Sequence, residues 1–320
     1  MADDFRKFDD HGFPIPPRYE DLKFHDEDSP PRSKINMRAK RWLLMLLLAG
    51  IVVPIVFGPR ILASGRRLVA EWLASQAWQK YYDGNFDSAL ADLNDAIEWD
   101  PTSRTLYWQR AICHEAMNEL EGSLADWNKH LELLESSRIR RRERFERTLE
   151  KVQAYSRRSW IHVRLGHRAD ALADASRSVD LLPNPVTWNA RAYGRAILGV
   201  ELEEGLADVE NALRQSVDAP SYLDTRGYLL HLLGRNEAAL ADMNRAILIV
   251  KQAKVVNFNQ QIRRSDNREV IQQRQETDES LAVMYHHRAL IYKQLGREQE
   301  AEKDFSESKA LGYDPAKGIL

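Results

Sequence analysis

The chain is nearly devoid of cysteine: 320 residues contain one, Cys113. One thiol cannot build an intramolecular disulfide framework or a cysteine-based zinc cluster. Its place inside a helical stretch predicts a small buried hydrophobe. Net charge is also nearly absent. The 46 Lys and Arg against 48 Asp and Glu leave −2, so no whole-chain field favours nucleic acid, and none is expected as a partner. Catalytic signatures are missing as well. Gly194-Arg-Ala-Ile-Leu-Gly199 has the glycine spacing of a phosphate loop, but Val200 and Glu201 stand where Lys and Ser/Thr are required, and no strand precedes it. His286 and His287 are adjacent and face different ways on a helix, while His162 and His167 straddle a turn. Neither pair brings a ligand set with it. The expectation is no catalytic residue, no cofactor and no metal.

What the chain has is a repeat. In Arg226-Gly-Tyr-Leu-Leu-His-Leu-Leu-Gly234, apolar residues fall at helical spacing up to a glycine, and a second periodic run follows with small residues at Ala239 and Ala246. Glycine enters the left-handed conformation that ends a helix without steric cost, so the unit is a helical hairpin. The turn residue recurs as Gly84, Gly166, Gly199 and Gly296, and once as Asn118. An Asp lies eight residues beyond it as Asp92, Asp126, Asp174, Asp242 and Asp304; Asp208 lies nine beyond, which marks one extra residue. An Arg lies eight residues before it as Arg110, Arg158, Arg191, Arg226 and Arg288, with Gln76 in the first repeat. That spacing predicts an ion pair between the two helices of each hairpin. Hairpins this small cannot bury an apolar face alone, so six copies predict an all-α stacked solenoid.

These residues resemble the tetratricopeptide repeat, a helix-turn-helix of about 34 residues. Trp188, Ala192, Gly199, Gly205 and Ala212 fit its pattern, as do Tyr285, Ala289, Gly296, Ala301 and Phe305, and Phe86, Ala89, Ala96 and Pro101. The second repeat departs with Asn118, Ser123 and His130. The resemblance covers residues 70–315 roughly. It implies a right-handed superhelix of six repeats whose first helices line a concave face, and a protein that binds a peptide or protein partner there. The groove residues it implies are Trp78, Tyr82, Trp108, Trp160, Asn189, Tyr193, Tyr228, His231 and His286. The alternative is self-assembly into a homo-oligomer. The chain after Gly312 is too short for a polar capping helix, which would leave Leu290 and Phe305 open to a second copy.

Two turn intervals are long. Turn residues are 34, 48, 33, 35 and 62 apart in chain order, and the surplus falls near residues 136–151 and 251–280. Neither stretch holds Gly or Pro, so both are expected to stay helical. The first carries a basic arm of Arg138, Arg140, Arg141 and Arg142, which reads either as a solvated helix or as a surface for an anionic partner. In the second, Ser265-Asp266-Asn267 reads as a turn with an acidic capping box to Glu269.

The amino-terminal part is of another kind. Residues 1–41 form an acidic, proline-bearing tail, predicted disordered, that ends in the basic flank Arg32, Lys34, Arg38, Lys40 and Arg41. Residues 42–59 follow as an expected single-pass transmembrane helix. Its uncharged run Trp42 to Phe57 and Gly58 reaches about 26 Å as a helix. Residues 60–320 hold the solenoid. Flanking basic charge places the amino terminus in the cytoplasm and the repeats outside it. A cleaved secretory signal is the rival reading, with Ile61-Leu62-Ala63 as its cleavage site, but the basic region begins unusually late for a signal.

Overall fold

The second helix of each pair begins within three or four residues of the end of the first, because the turn residue reverses the chain in the left-handed region. Gly84, Gly166, Gly199, Gly234 and Gly296 have φ of 65–77°, and Asn118 has φ 63°. At each of these turns the first helix ends in backbone hydrogen bonds closed by the turn residue and its successor, such as Gly234 N–H to His231 O and Arg235 N–H to Leu230 O. The extra residue of the fourth repeat is absorbed by a second left-handed residue, Glu201, at φ 48°. Its carboxylate then reaches Arg195 at 3.0 Å.

This computed structural model describes residues 64–136, 143–261 and 268–313. The helices are α1 (64–82), α2 (Phe86–Trp99), α3 (Arg104–Ala116), α4 (Leu120–Ser136), α5 (Arg144–Leu165), α6 (Arg168–Leu181), α7 (Pro185–Leu198), α8 (Leu202–Gln215), α9 (Pro220–Leu232), α10 (Asn236–Gln261), α11 (Arg268–Gln294) and α12 (Glu298–Ala310). No strand occurs among the described residues. Successive helices pack as six hairpins, and each hairpin packs on the next, as a solenoid requires. The chain divides into the units Met1–Ile61, outside the described residues, and Leu62–Leu320. The acidic tail, the expected transmembrane run at 42–59, the basic-arm residues Arg138, Arg140, Arg141 and Arg142, and the Ser265-Asp266-Asn267 turn all lie outside the described residues. Among the described residues no helix is long and apolar enough to cross a membrane. The helices flanking the two long intervals are themselves long: α5 has 22 residues, α10 has 26 and α11 has 27.

The core is a row of clusters between hairpins. Ala77, Ala89, Leu93 and Cys113 join the first two; Ala111, Trp127, Leu131, Ala154 and Ile161 join the second and third. The largest cluster runs from Ala192 to Ala301 through Leu229, Met243 and Ile291. Cys113 is fully buried, and that burial pushes its thiol up to about 11. Small residues sit where helices cross: Ala89, Ala96, Ala239, Ala246 and Ala301 are buried. At Gly227 a Cβ would lie 2.9 Å from Met243 Cε and 3.2 Å from the Ala239 carbonyl, so α9 and α10 approach closely enough that a side chain there would force Met243 and the backbone to shift. Where the second repeat lacks a small residue, His130 fills the space and its Nδ1 lies 2.9 Å from Arg104 O. Leu290 and Phe305, the residues the assembly alternative expected to be open, are half-buried, with Phe305 5.4 Å from the His286 ring.

The recurring Arg and Asp pair in every hairpin that carries both. Arg110–Asp126, Arg158–Asp174, Arg191–Asp208, Arg226–Asp242 and Arg288–Asp304 each make two hydrogen bonds of 2.6–2.9 Å. In the first hairpin Lys80, not Gln76, reaches Asp92 at 2.5 Å. Three of the arginines also donate Nη1 to an asparagine of the preceding hairpin: Arg110 to Asn94, Arg158 to Asn128 and Arg288 to Asn244, at 2.7–2.8 Å. Each clasp therefore fixes its own hairpin, and three of them also tie it to its neighbour. Arg288→Met leaves the buried Asp304 carboxylate without its guanidinium and should cost about 3–5 kcal/mol. The double variant Arg288→Met/Asp304→Leu should recover much of that loss. Denaturant unfolding checks both; a single variant within about 1 kcal/mol of the parent would contradict the assignment.

Candidate functional site

Arginine and groove residue are coupled by helix geometry. Trp78, Trp160, Tyr193 and Tyr228 each follow the clasp position by two residues. Two residues turn a helix by about 200°, so an arginine aimed at the second helix aims the ring at the opposite side. Those rings meet one another along the first helices. Trp78 lies 5.5 Å from Trp108, Trp160 stacks on Tyr193 at 6.1 Å, and Tyr228 stacks on His287 at 4.2 Å with planes 11° apart. Tyr193 on α7 is also 6.5 Å from His287 on α11, two hairpins further along. Rings so far apart in the row approach only on the inside of a curve, so this face of the first helices is concave.

Of the groove residues the sequence implies, Trp78, Trp108, Trp160, Asn189, Tyr193, Tyr228, His231 and His286 are half-buried, and Tyr82 is 57% exposed. The structure separates them into three groups. Trp78, Tyr82 and Trp108 cluster with Tyr81 on α1 and α3. Trp160, Tyr193 and Tyr228 line the middle. His286 stacks on Tyr313 at 4.2 Å, at the carboxy-terminal end of the row. His231 is drawn to the turn, where its Nδ1 lies 2.7 Å from Asn236 Oδ1, although its ring remains 6.4 Å from Tyr228.

The middle of the groove holds one residue that sequence reasoning passed over, His287. His287 is 0% exposed, and its Nδ1 is 2.9 Å from Asp224 Oδ1 on α9. Its Nε2, the Tyr193 hydroxyl and Asn189 Oδ1 are buried without a hydrogen-bond partner among the described residues. Burial first, then the nearby Asp224 carboxylate, holds the Tyr193 hydroxyl well above its usual range, so it stays a neutral donor. An unmatched buried donor or acceptor costs about 1–3 kcal/mol, so the packing that seals this layer has to outweigh that cost. Adjacency hid His287: His286 and His287 do face different ways, and only the packing of α11 on α9 brings Asp224 to the second of them.

A second cleft, of about 480 Å³, lies over the clasp of the fifth hairpin and is lined by Leu213, Val217, Leu223, Arg226, Asp242 and Arg245. Arg226 pairs with Asp242 and Arg245 with Asp218, while Glu210 and Arg214, also on its wall, make no ion pair among the described residues. The groove, where rings from three hairpins meet, is the stronger candidate site.

Residues 282–316 match the family model of the tetratricopeptide repeat. No curated protein matches the chain. Among solved structures, a tetratricopeptide repeat protein from Parabacteroides merdae is 15% identical with a TM-score of 0.51, over 79% of this chain and 98% of that one. PilW, a type IV pilus biogenesis factor, is 14% identical with a TM-score of 0.50, over 78% and 96%. The Cut9–Hcn1 hetero-tetramer of the APC/C is 13% identical with a TM-score of 0.52, over 78% of this chain and 41% of that one. At these identities the likeness is one of fold: an all-α tetratricopeptide-type solenoid.

Burial first, then the neighbouring His287, lowers the His286 pKa to about 4. An unfolded histidine takes its proton near 6.5, so below that pH the unfolded chain binds a proton that the folded chain refuses. His286 should therefore remove stability as pH falls from about 6.5 to about 4, and remove no more below that. His286→Phe keeps a ring against Tyr313 and abolishes the titration. The stability difference between the two proteins, read as melting temperature, should change across this window and be flat outside it; a difference that stays constant throughout would refute the assignment.

Proposed function

We propose that the protein is a membrane-anchored scaffold, not an enzyme, that binds an extended peptide or a protein segment along the concave face of its first helices. The observation that carries this reading is the middle of the groove. Trp160, Tyr193 and Tyr228 offer half-buried ring surface along it, held over a polar layer that includes the buried His287–Asp224 pair. Aromatic anchors along a concave face are what an extended peptide needs for its side chains. The aromatic cluster at Trp78, Tyr82 and Trp108 extends the same surface toward the amino-terminal hairpin.

The anchor in this reading is the uncharged run at 42–58, with the basic flank holding the amino terminus in the cytoplasm and the repeats outside it. Support comes from α1, the helix next in sequence, which exposes Leu68, Val69 and Trp72. Such a surface suits the neighbourhood of a bilayer.

Crosslinking pull-down of the full-length protein from membranes tests the groove. A partner captured by the parent protein should be lost about 30-fold with Tyr228→Ala, in keeping with a central hot spot. It should be retained by Phe145→Ala, an exposed apolar residue outside the ring row. Equal recovery with both variants would move the binding surface away from the concave face.

A further inference from the structure

Across each turn, the residue just after the turn residue donates its N–H to the carbonyl of the residue four before it, which brings the two positions together. In the second hairpin this pair is His114 and Glu119, 2.7 Å apart. In the sixth it is Tyr292 and Arg297, with the guanidinium 4.6 Å over the ring. Both contacts are attractive and close the turn. In the third hairpin the same two positions hold His162 and His167. Their Nδ1 atoms are 3.2 Å apart, and Asp170, one helical turn along α6, brings a carboxylate so that all three ligand atoms lie within 4.8 Å of one another.

We propose that His162, His167 and Asp170 form a divalent transition-metal site, taking zinc, at the turn between α5 and α6. Zinc binds imidazole nitrogen at about 2.0–2.1 Å in a tetrahedron, which sets neighbouring nitrogens about 3.3 Å apart. The two Nδ1 atoms already stand at that separation. Their backbones are fixed to each other, since His167 N–H donates to His162 O at 2.9 Å and Gly166 N–H to Val163 O at 3.1 Å. The ordering of two ligands is therefore complete before the ion arrives. Two nitrogens and one oxygen suit a borderline ion such as zinc better than calcium or magnesium, which prefer oxygen alone.

The two rings meet Nδ1 to Nδ1, so the contact is a hydrogen bond when one of the two nitrogens carries a proton. A neutral pair shares one proton between the Nδ1 atoms. On binding, that ring changes tautomer, its proton passing from Nδ1 to Nε2 by exchange with water, and both Nδ1 lone pairs face the ion. Asp174 Oδ2 lies 4.0 Å from His162 Nε2, on the side where ligating histidines are commonly supported by a carboxylate. His167 and Asp170 are exposed, so the ion has an entry path and room for a water as fourth ligand. Bound there, the ion would tie the end of α5 to the start of α6, a link that depends on metal supply. This inference stands on the turn alone and does not require the groove to bind a partner.

The test uses the full-length protein, prepared without a polyhistidine tag and freed of metal. Zinc is titrated in competition with a chromophoric chelator, and cobalt is used as a spectroscopic reporter of tetrahedral ligation. One equivalent should bind, with intense visible absorption from cobalt. His167→Asn puts an amide beside His162 and leaves the backbone bond from residue 167 N–H to His162 O, which closes the turn, in place. It should weaken zinc binding by at least about 100-fold, more than loss of a supporting group costs. Asp170→Asn, a change at an exposed position, should weaken it as well. Circular dichroism should be unchanged in both. A parent protein that takes up no zinc, or one that holds it no more tightly than His167→Asn and Asp170→Asn do, would overturn the proposal.

Discussion

The guanidinium–carboxylate clasp is the constraint on which the rest of this structure depends. Each hairpin has an apolar stripe too small to fold on its own, so its two helices need a fixed rotation about their axes before a neighbour can pack on them. A bidentate Arg–Asp pair supplies that rotation better than apolar contact, because a planar fork matches a carboxylate in one orientation only. Its value lies more in geometry than in net energy, since desolvating both charges offsets much of their attraction. The asparagines Asn94, Asn128 and Asn244 carry the orientation to the next hairpin.

The same constraint builds the groove. With arginine held toward the second helix, the residue two positions on is held toward the inner face, where Trp160, Tyr193 and Tyr228 line up. Curvature then brings α7 near α11 and gathers Asn189, Tyr193, Asp224 and His287 from three hairpins. The polar centre is thus a product of stacking and belongs to no single repeat. The turns are the other place where the repeat leaves side chains free to vary, and there the cross-turn pair changes from His–Glu to His–His to Tyr–Arg without disturbing the backbone.

The turn, the clasp and the small crossing positions were legible in the sequence because each is fixed by local geometry. A left-handed residue at Asn118 and an Arg–Asp spacing across Gly234 need no knowledge of other hairpins. The irregular fourth repeat was legible as an extra residue before Asp208, though not that Glu201 would take the left-handed conformation. In the first hairpin, where Gln76 departs from the arginine pattern, the pairing of Lys80 was not foreseen, because a long flexible amine one turn later reaches the same carboxylate. His287 and Asp224, 63 residues apart in sequence, are joined by packing alone and left no periodic trace. His162 and His167 were seen to straddle a turn, but the approach of Asp170 depends on where α6 starts. A family model recognises residues 282–316. Among the other copies are an asparagine turn, an extra residue and two long intervals.

Native-state hydrogen exchange on the intact protein tests the central claim most directly. If hairpins are clasped units that stand only through their neighbours, α9 and α10 up to Ile247 should lose protection together, with equal opening free energies. Protection should also be highest in the hairpins joined by the Leu229, Met243 and Ile291 cluster. Exchange in which α10 opens at low energy while α9 stays protected would contradict it, because the clasp would then not be what holds the pair.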